Sequence, residues 1–564
     1  MGKGMKVVVI GAVAAGPKVA SKIIRQMPDA EVTCVEKGRF LSYAGCGLPY
    51  YVSGVVEDQA ELMSTPVGVV RDPVFFRNVK NVHVLEQTEA VSIDRSGKKV
   101  YAKDIRTGNE ISLDYDKLVL ATGASPFIPP IEGTKLKNVF TLHGVDDAEG
   151  IKAMLAEHKA RDAVIIGGGL IGVEITESLV HTGCRVTMVE MMPQILTMLD
   201  WEMAKLVEQH MEAKGVKVLT STKVEKVDGK SGVVEAVRTS NGKICTDMVI
   251  MAVGVRPNTK LAKDAGLELG VGGTIKVNQK MQTTDPDIYA AGDCVEMENL
   301  ITKDKCYVPL GSTANKQGRV AANNISGRKD SFPGILGSAV CKVFDFCVAR
   351  TGLSEEQAAN AGFDVETVLS PSPDKAHFMP EAKMLMLKLV ADKKSGRLLG
   401  LQAIGPGAGD KRVDAAAAAI SAGMTMEQIS NLDLCYAPPF SPAMDNLITA
   451  ANVMRNKLEG DMEGISPREL KDKMDSGEDL FLLDVRSEGE FNEVRIPGAV
   501  NIPLGMLRKR LDEVPEDKNT QIVVFCKISL RGYEAGLILE NAGWKDIKVL
   551  DGGVVMWPFE KITP

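Results

Sequence analysis

The sequence predicts an α/β protein of several domains, and three observations support that prediction. The chain has 564 residues, enough for about four domains at roughly 150 residues each. Two apolar strands, Lys6–Ile10 and Asp162–Ile166, each run into a glycine turn, which is typical of the opening of a βαβ unit. After residue 465 the chain again alternates apolar strands with helical segments, which indicates a further α/β domain.

The composition is that of an ordinary globular protein, with 45% hydrophobic residues, 25% charged residues and a net charge of -7. It excludes a disordered chain and a nucleic-acid-binding surface. The sequence has no run of about eighteen apolar residues, so we expect a soluble cytoplasmic protein without membrane contact. The ten cysteines form no CxxC pair, which argues against a disulfide scaffold and a zinc site. We predict no bound metal.

The first glycine turn reads Gly-Ala-Val-Ala-Ala-Gly from Gly11 to Gly16, a GxGxxG motif with valine at its middle position. Glu36 closes the next strand twenty residues after Gly16. At that distance a carboxylate accepts hydrogen bonds from ribose hydroxyls. We therefore predict a dinucleotide site formed by Gly11, Gly16 and Glu36.

The second glycine turn fits GxGxxG in full at Gly167, Gly169 and Gly172, and Glu190 closes the strand that follows. This predicts a second dinucleotide site. Because an acidic residue with no nearby arginine repels a 2′-phosphate, NADH is expected in preference to NADPH.

The repeated design indicates that one nucleotide-binding domain is inserted in the other, with the chain returning to the first domain at the strand Val249–Val253. Shorter strands and an alanine-rich helix near Asp414–Ile420 indicate a third domain, and Ser466 followed by proline starts a helix of the last domain. The predicted ranges are 1–149 with 248–330 for the first nucleotide-binding domain, 150–247 for the second, 331–452 for the third, 453–465 for a linker and 466–564 for the C-terminal domain.

Two further segments, one around Ala121-Thr122-Gly123 and one from Thr284 to Asp293, resemble the second and third FAD motifs of flavoprotein reductases with two dinucleotide-binding domains. The resemblance covers about residues 5–450. It implies FAD in the first domain and a nicotinamide in the second, with residues 331–452 forming a dimerisation domain. In the family, the aspartate that matches Asp293 bonds the ribityl chain of the flavin. The FAD-binding residues so implied are Gly11, Gly16, Glu36, Thr122, Gly123 and Asp293.

The segment Leu41–Tyr51 has a single cysteine, Cys46, where disulfide reductases with a redox pair carry CxxxxC. It resembles the single-cysteine branch of the family, which includes coenzyme A disulfide reductases, persulfide reductases, NADH peroxidases and NADH oxidases. A lone cysteine beside a flavin can hold a mixed disulfide, a persulfide or a sulfenate. We expect a helix N-terminus and neighbouring cations to lower the pKa of Cys46.

Ala14 stands where the peroxidases and oxidases carry a histidine, which favours the thiol-substrate members. Those members have basic residues on the first helix, matched by Lys22 and Arg25, and a tyrosine supplied by the partner subunit, matched by Tyr436. The resemblance implies a homodimer in which Lys22, Arg25 and Ser42 bind a substrate such as coenzyme A. Tyr436 would donate a proton to the leaving sulfur. The chain departs from the family pattern at Ile24, Gly45, Leu170 and Phe378-Met379.

Cys526 follows the strand Val523–Phe525 and begins a loop that ends at Arg531. The loop resembles the CxxGxR loop of rhodanese domains, with Ser529 at the usual glycine, and the resemblance covers nearly all of residues 466–564. Successive backbone N–H groups in such a loop stabilise a thiolate and then a persulfide. We expect Arg531 to fix the loop and its charge. The Cβ of Ser529 narrows the backbone conformations that the loop can adopt.

These features predict a homodimeric enzyme that uses FAD and NADH to reduce disulfide, persulfide or polysulfide sulfur at Cys46. Coenzyme A would serve as substrate or bound carrier, and Cys526 would carry sulfane sulfur. Two alternatives stay open. One is an NADH oxidase or peroxidase. The other is a sulfur-carrier protein whose flavoprotein part is a redox-sensing scaffold.

Overall fold

The computed structural model describes residues 4–156 and 160–563. The parts of the predicted domains that fall on residues 1–3, 157–159 and 564 lie outside the described residues. The chain divides into two compact units, the first made of Met1–Pro193 with Val216–Ile335 and the second of Gln194–Gly215 with Leu336–Pro564. The predicted α/β fold class is confirmed. Among the described helices, none is long and apolar enough to span a membrane.

A five-stranded parallel sheet forms the core of the first nucleotide-binding region. Its strands are nearly all apolar because both faces of the sheet are covered. Helix Ala15–Gln26 follows the first strand of the chain and packs against helix Gly311–Ile325. The strands, in spatial order, are Ile288–Ala290, Lys117–Leu120, Lys6–Ile10, Glu31–Val35 and Val82–Leu85.

A second five-stranded parallel sheet forms the other nucleotide-binding region. Helix Val145–Ala156 precedes its strand Asp162–Ile166, and helix Leu170–His181 follows that strand. The strands, in spatial order, are Lys217–Leu219, Arg185–Val189, Asp162–Ile166, Met248–Met251 and Val139–Phe140.

The predicted return of the chain at Val249–Val253 was wrong, because Met248–Met251 pairs in parallel with Asp162–Ile166 inside the second sheet. Val139–Phe140, from the range assigned to the first domain, extends the same sheet. A short, wholly apolar strand suits the interior of either parallel sheet, so its sequence does not indicate which sheet it joins.

Smaller elements complete the first unit. Its antiparallel strands are Thr88–Asp94, Lys99–Asp104 and Glu110–Asp114 in one sheet, Val224–Lys230, Val233–Thr239 and Gly242–Cys245 in another, Ala124–Pro126 with Val255–Pro257, and Met297–Glu298 with Lys305–Cys306. Its short helices are Leu48–Val52, Pro73–Lys80 and Lys260–Asp264, with 3₁₀ turns at Gly45–Gly47, Gln59–Met63 and Val271–Gly273.

The second unit contains an antiparallel five-stranded sheet with helices packed against it. The alanine-rich helix predicted near Asp414–Ile420 is confirmed as Gly409–Ser421. The strands, in spatial order, are Ala339–Val343, Phe346–Gly352, Leu398–Gly405, Met384–Asp392 and Val365–Pro373. The other helices are Glu355–Asn360, Met426–Ser430 and Asn446–Glu459.

Helix Trp201–Ala213 belongs to this second unit, although its sequence lies within the range predicted for the second nucleotide-binding domain. Lys388, on a central strand of the antiparallel sheet and 2% exposed, pairs with Glu202 at 3.2 Å and with Asp200 at 3.3 Å. A lysine buried this deeply requires carboxylate partners. The helix supplies them from about 190 residues earlier in the chain.

A parallel five-stranded sheet forms the C-terminal region. Ser466 caps helix Pro467–Ser476 by accepting a hydrogen bond from the Glu469 amide at 3.1 Å, as the Ser-Pro pair predicts. The strands, in spatial order, are Gly464–Ile465, Ile547–Leu550, Gln521–Phe525, Leu480–Asp484 and Val500–Asn501. The other helices are Glu488–Glu493, Leu504–Leu507 and Leu530–Asn541, with 3₁₀ turns at Leu511–Glu513 and Gly553–Met556.

The predicted linker 453–465 is not a linker. Helix Asn446–Glu459 occupies its first half, and Gly464–Ile465 forms an edge strand of the C-terminal sheet. Two of the charged residues that suggested a linker, Arg455 and Glu459, pair with each other on the helix surface, whereas Lys457 is buried.

Candidate active site

The first glycine turn is held so closely to its neighbours that two of its glycines have no room for a side chain. Gly11 has a φ of +103°, and a Cβ there would overlap the carbonyl oxygen of Ala121. A Cβ at Gly16 would overlap the carbonyl oxygen of Gly11. The turn therefore meets the second of the predicted motifs directly, at Ala121.

Glu36 fastens this turn through its carboxylate. One oxygen accepts a hydrogen bond from the Ala12 amide at 2.6 Å, and the other accepts one from the Gly38 amide at 2.7 Å. Burial raises the pKa of Glu36, and these amide donors act in the opposite direction. The role of Glu36 towards ribose hydroxyls stays a prediction.

The second glycine turn repeats this arrangement. Gly167, with a φ of +107°, and Gly172 have no space for a Cβ, whereas a Cβ at Gly169 would point into open space. The Glu190 carboxylate accepts hydrogen bonds from the Gly168 amide at 2.7 Å and from the Met192 amide at 2.8 Å. The open side at Gly169 is the feature that lets a backbone approach a pyrophosphate.

Thr122 and Gly123 are joined to Asn258, which the sequence analysis missed. The Thr122 hydroxyl donates to the Asn258 carbonyl at 2.6 Å, and the Asn258 side-chain amide donates to the Thr122 carbonyl at 2.9 Å. The Asn258 backbone amide also donates to the Gly123 carbonyl at 2.9 Å. No local sequence pattern marks Asn258, because its partners lie about 136 residues away.

The third motif brings buried polar atoms beside the glycine turn. Gly292, whose Cβ position lies against Ala15, donates its amide hydrogen bond to Gln317 Oε1 at 2.8 Å. Within residues 4–156 and 160–563, Gln317 Nε2 and the Tyr307 hydroxyl are buried with no hydrogen-bond partner. Burial also raises the pKa of Asp293. These polar groups around a glycine cradle fit a bound FAD.

Cys46 is exposed in the 3₁₀ turn Gly45–Gly47. The Ser42 amide donates to the Ala12 carbonyl at 2.9 Å, so the cysteine segment is tied to the first glycine turn. The predicted lowering of the Cys46 pKa was wrong. The pKa is raised, because surrounding protein desolvates the thiol and because Glu174 and Asp293 place negative charge near it.

Glu174 is a second residue that the sequence analysis missed. It lies half-buried on helix Leu170–His181, and desolvation, with a smaller effect of Glu177, raises its pKa to about 7. From the same helix, the Ser178 hydroxyl donates to the Pro49 carbonyl at 2.8 Å. That bond joins helix Leu48–Val52, which follows Cys46, to helix Leu170–His181 of the second nucleotide-binding region. Glu174 therefore lies close enough to Cys46 for its negative charge to raise the pKa of the thiol.

The predicted substrate-binding residues Lys22, Arg25 and Ser42 lie in the first compact unit. Lys22 is half-buried and Arg25 is exposed on helix Ala15–Gln26, and Ser42 adopts a positive φ of +48°. Tyr436 belongs to the second compact unit, where it is 53% exposed. The structure brings Ser42 to the first glycine turn. The substrate-binding roles of Lys22, Arg25 and Ser42 and the proton-donor role of Tyr436 stay predictions.

Cys526 is 1% exposed at the start of the C-terminal loop. Arg531, predicted to fix this loop, donates two hydrogen bonds to the Glu490 carboxylate at 2.8 and 2.7 Å. The Arg531 guanidinium lowers the pKa of Glu490 to about 2. Interaction with Glu490, and more weakly with Cys526, raises the pKa of Arg531. Glu490 is therefore a part of the loop that sequence reasoning missed.

No metal centre is found in the part of the chain that the structure describes, since no three His, Cys, Asp or Glu side chains there could hold an ion. The first unit contains two glycine turns with their carboxylates and the exposed Cys46, and the second unit contains the buried Cys526 with its loop.

Residues 5–318 match the family model described as pyridine nucleotide-disulphide oxidoreductase. The chain belongs to this family. The dimerisation domain of the pyridine nucleotide-disulphide oxidoreductases matches residues 338–448, and a rhodanese-like domain matches residues 466–558. FAD and NAD(P)H are the cofactors of the family, so the predicted family and cofactors are confirmed.

Three relatives show how far the similarity reaches. The structure of a NAD-dependent persulfide reductase from A. fulgidus is 47% identical with a TM-score of 0.93, and the match covers 98% of this chain and 100% of that one. A NAD(P)H coenzyme A polysulfide/persulfide reductase from Pyrococcus horikoshii is 38% identical over 81% of this chain and 100% of its own. An NADH oxidase from Methanocaldococcus jannaschii is 36% identical over 80% of this chain and 99% of its own.

Proposed function

We propose that this oxidoreductase uses FAD and NADH to reduce disulfide, persulfide or polysulfide sulfur at Cys46, with sulfane sulfur carried on Cys526. One observation carries the proposal. The exposed thiol of Cys46, in a segment tied to the first glycine turn, is on the same chain as the buried Cys526, which begins a rhodanese-like loop. The A. fulgidus relative named as a persulfide reductase matches nearly the whole chain, which supports this assignment.

The proposed chemistry at Cys46 balances in two steps. The Cys46 thiolate attacks the S–S bond of a persulfide RSSH, so that Cys46 gains the outer sulfur and the remaining thiolate takes up a proton as RSH. FAD, when bound, supplies two electrons that NADH delivers as hydride. Reduction breaks the new bond on Cys46, restores its thiolate and releases sulfide. The sum is NADH, H⁺ and RSSH going to NAD⁺, RSH and H₂S.

Cys526 has a transfer role in this proposal. Its thiolate attacks the sulfane sulfur of a donor RSSH, forms a Cys526 persulfide and releases RSH. The Arg531–Glu490 pair and the backbone amides of the loop hold that anion in place. Passing the sulfur on to a coenzyme A thiol, or to Cys46, restores the Cys526 thiol.

Substrate recognition is proposed on charge and position. Lys22 and Arg25 carry no ion pair within the described residues, and their charges suit the phosphates of coenzyme A. The dimerisation domain indicates a homodimer, in which the partner subunit's Tyr436 donates a proton to the leaving sulfur.

Glu190, at the second glycine turn, favours NADH over NADPH. All ten cysteines are free, which supports a cytoplasmic location.

The proposal is tested by anaerobic stopped-flow oxidation of NADH by the FAD-loaded protein. Coenzyme A persulfide, coenzyme A disulfide and polysulfide are offered in turn, with Cys46→Ser as the control. We expect fast turnover that the variant loses. We also expect Lys22→Ala with Arg25→Ala to raise KM for coenzyme A persulfide and leave that for polysulfide unchanged, because polysulfide has no phosphates.

An NADH oxidase is the second candidate, since the M. jannaschii relative bears that name and an exposed Cys46 can form a sulfenate. The exposed Ala14 offers no acid or base to an oxygen substrate. Turnover that begins only when oxygen or peroxide is admitted would replace the sulfur assignment with this one. Negligible NADH turnover together with a lasting Cys526 persulfide would favour the sulfur-carrier alternative.

A further inference from the structure

Lys457 is a buried cation in the last turn of helix Asn446–Glu459, which continues from the dimerisation domain. Its side chain is 4% exposed. Its ammonium donates to Asp551 Oδ2 at 2.7 Å and to the Thr367 carbonyl at 2.7 Å. Glu366 Oε1 lies 3.5 Å away. A side chain at Gly464 would overlap the ammonium, so the lysine is enclosed on that side as well.

Asp551, the partner of Lys457, stands in the middle of the segment that supports the Cys526 loop. The residue before it, Leu550, accepts the Ser529 hydroxyl through its carbonyl at 2.9 Å. Shortly after it, the Val554 amide donates to the Cys526 carbonyl at 3.0 Å, and the Val555 amide donates to the Lys527 carbonyl at 3.1 Å. Cys526, Lys527 and Ser529 of the loop are therefore all hydrogen-bonded to residues 550–555.

A contribution to folding stability does not explain the Lys457–Asp551 ion pair. Burial raises the pKa of Asp551 to about 6 even though Lys457 acts in the opposite direction. An ionised carboxylate at this position thus costs free energy at neutral pH. We therefore assign to this buried pair the role of selecting one local conformation, and not that of stabilising the fold.

We propose that Lys457 is a positioning residue for sulfur transfer, which holds the 550–555 segment, and through it the Cys526 loop, in the reactive arrangement. The inference rests on the proposed transfer of sulfur by Cys526. It makes the reactivity of the rhodanese-like domain depend on a side chain from outside that domain. The positioned step is attack of the Cys526 thiolate on the sulfane sulfur of RSSH, with RSH as the leaving group.

The pH dependence of that step follows from the charges around Asp551. Lys457, Glu366 and Lys388 face it, from the helix and from two strands of the antiparallel sheet. Above about pH 6 Asp551 is ionised and the pair is formed, and below that pH the carboxyl takes up a proton and the charge attraction ends. We therefore expect the rate of Cys526 persulfidation to fall as the pH is lowered through about 6, in addition to the fall caused by protonation of the Cys526 thiolate.

The experiment measures the rate at which Cys526 becomes persulfidated in the full-length, FAD-loaded protein, with polysulfide as donor and site-resolved mass spectrometry as readout. The variants are Lys457→Met and the isosteric Asp551→Asn. Arg455→Met is the matched control, because Arg455 lies on the same helix in an exposed pair with Glu459. Anaerobic NADH oxidation with coenzyme A disulfide measures the reductase part in parallel.

We expect both variants at the buried pair to lose about tenfold or more in persulfidation rate, with reductase turnover and the Arg455→Met rate unchanged. The fall near pH 6 should be absent in Asp551→Asn. Parental rates in both variants, a rate loss shared by Arg455→Met, or an unchanged fall near pH 6 in Asp551→Asn would each overturn the positioning role. A parental protein that forms no Cys526 persulfide would instead contradict the proposed function, and with it this inference.

Discussion

The hydroxyl of Ser529 donates a hydrogen bond to the carbonyl of Leu550 at 2.9 Å, while the backbone of Ser529 has a φ of +83°. That φ suits glycine, the residue that the rhodanese loop usually carries at this place. Ser529 therefore keeps a strained backbone and gains a bond that glycine lacks.

Removing the hydroxyl without removing the strain should destabilise the C-terminal domain. We expect Ser529→Ala to cost about 1–2 kcal/mol, because the positive φ remains while the bond is lost. Ser529→Gly loses the bond and the strain together, so its cost should lie within about 0.5 kcal/mol of zero. Calorimetric unfolding of the two variants and the parent checks this, and equal costs for alanine and glycine would contradict it.

The charge on Glu174 should set part of the reactivity of Cys46. Because Glu174 raises the Cys46 pKa, we expect Glu174→Gln to lower that pKa and to speed alkylation of Cys46 at pH 8. Site-resolved mass spectrometry after iodoacetamide treatment measures the rate separately from those of the exposed Cys245 and Cys435. Glu235→Gln, an exposed carboxylate in the same unit, is the control and should leave the rate unchanged.

The two glycines of the second turn should respond differently to alanine. Gly172→Ala drives a Cβ into the Gly167 carbonyl, and we expect it to unfold the turn and lower the unfolding temperature. Gly169→Ala meets nothing within the protein, so the fold should survive. The added methyl group would nevertheless stand where a pyrophosphate approaches, and NADH affinity should fall. Thermal unfolding and NADH titration separate the two effects, and a Gly169→Ala protein with parental affinity would refute the second.

The Arg531–Glu490 pair should stabilise the protein in a defined pH range. Arg531 holds the pKa of Glu490 at about 2, below its ordinary value of 4.5. The stabilisation is therefore complete above about pH 4.5 and is lost as the pH falls through about 2. Since the Arg531 and Glu490 side chains are each about one-third exposed, we expect Glu490→Gln to cost about 1 kcal/mol at pH 7.

Unfolding temperatures of the parent and Glu490→Gln, compared at pH 7, 5 and 3, measure this contribution. The difference should hold between pH 7 and 5 and shrink at pH 3. A difference that does not change with pH would show that the side-chain substitution, and not the charge pair, causes it.

Local patterns in the sequence predicted much of the fold. The strands that enter Gly11 and Gly167, the cap at Ser466 and the helix around Asp414–Ile420 all depend on residues close in sequence, and all are present. The strand Met248–Met251 was placed in the wrong sheet because its four apolar residues suit either one.

The electrostatics of the site depend on distant residues, and there the sequence was a poor guide. Desolvation by the surrounding protein raises the pKa of Cys46, and Glu174 and Asp293, each more than a hundred residues away in the sequence, add to that shift. Glu490 neutralises Arg531 from 41 residues earlier in the chain. Tertiary packing brings such partners together, and no regular spacing in the sequence identifies them.

Helix Trp201–Ala213 has a consequence for synthesis of the chain on the ribosome. When its last residue has been made, roughly 350 residues still have to be added before Phe559 is reached, which takes about 20–70 s at about 5–20 residues per second. Lys388, which pairs with Glu202, and Phe559, whose ring lies 5.4 Å from that of Trp201, are both added during this interval. Until then Glu202 lacks its partner Lys388 or Trp201 lacks its contact with Phe559, so the packing of the second unit is complete only after Phe559 has been made.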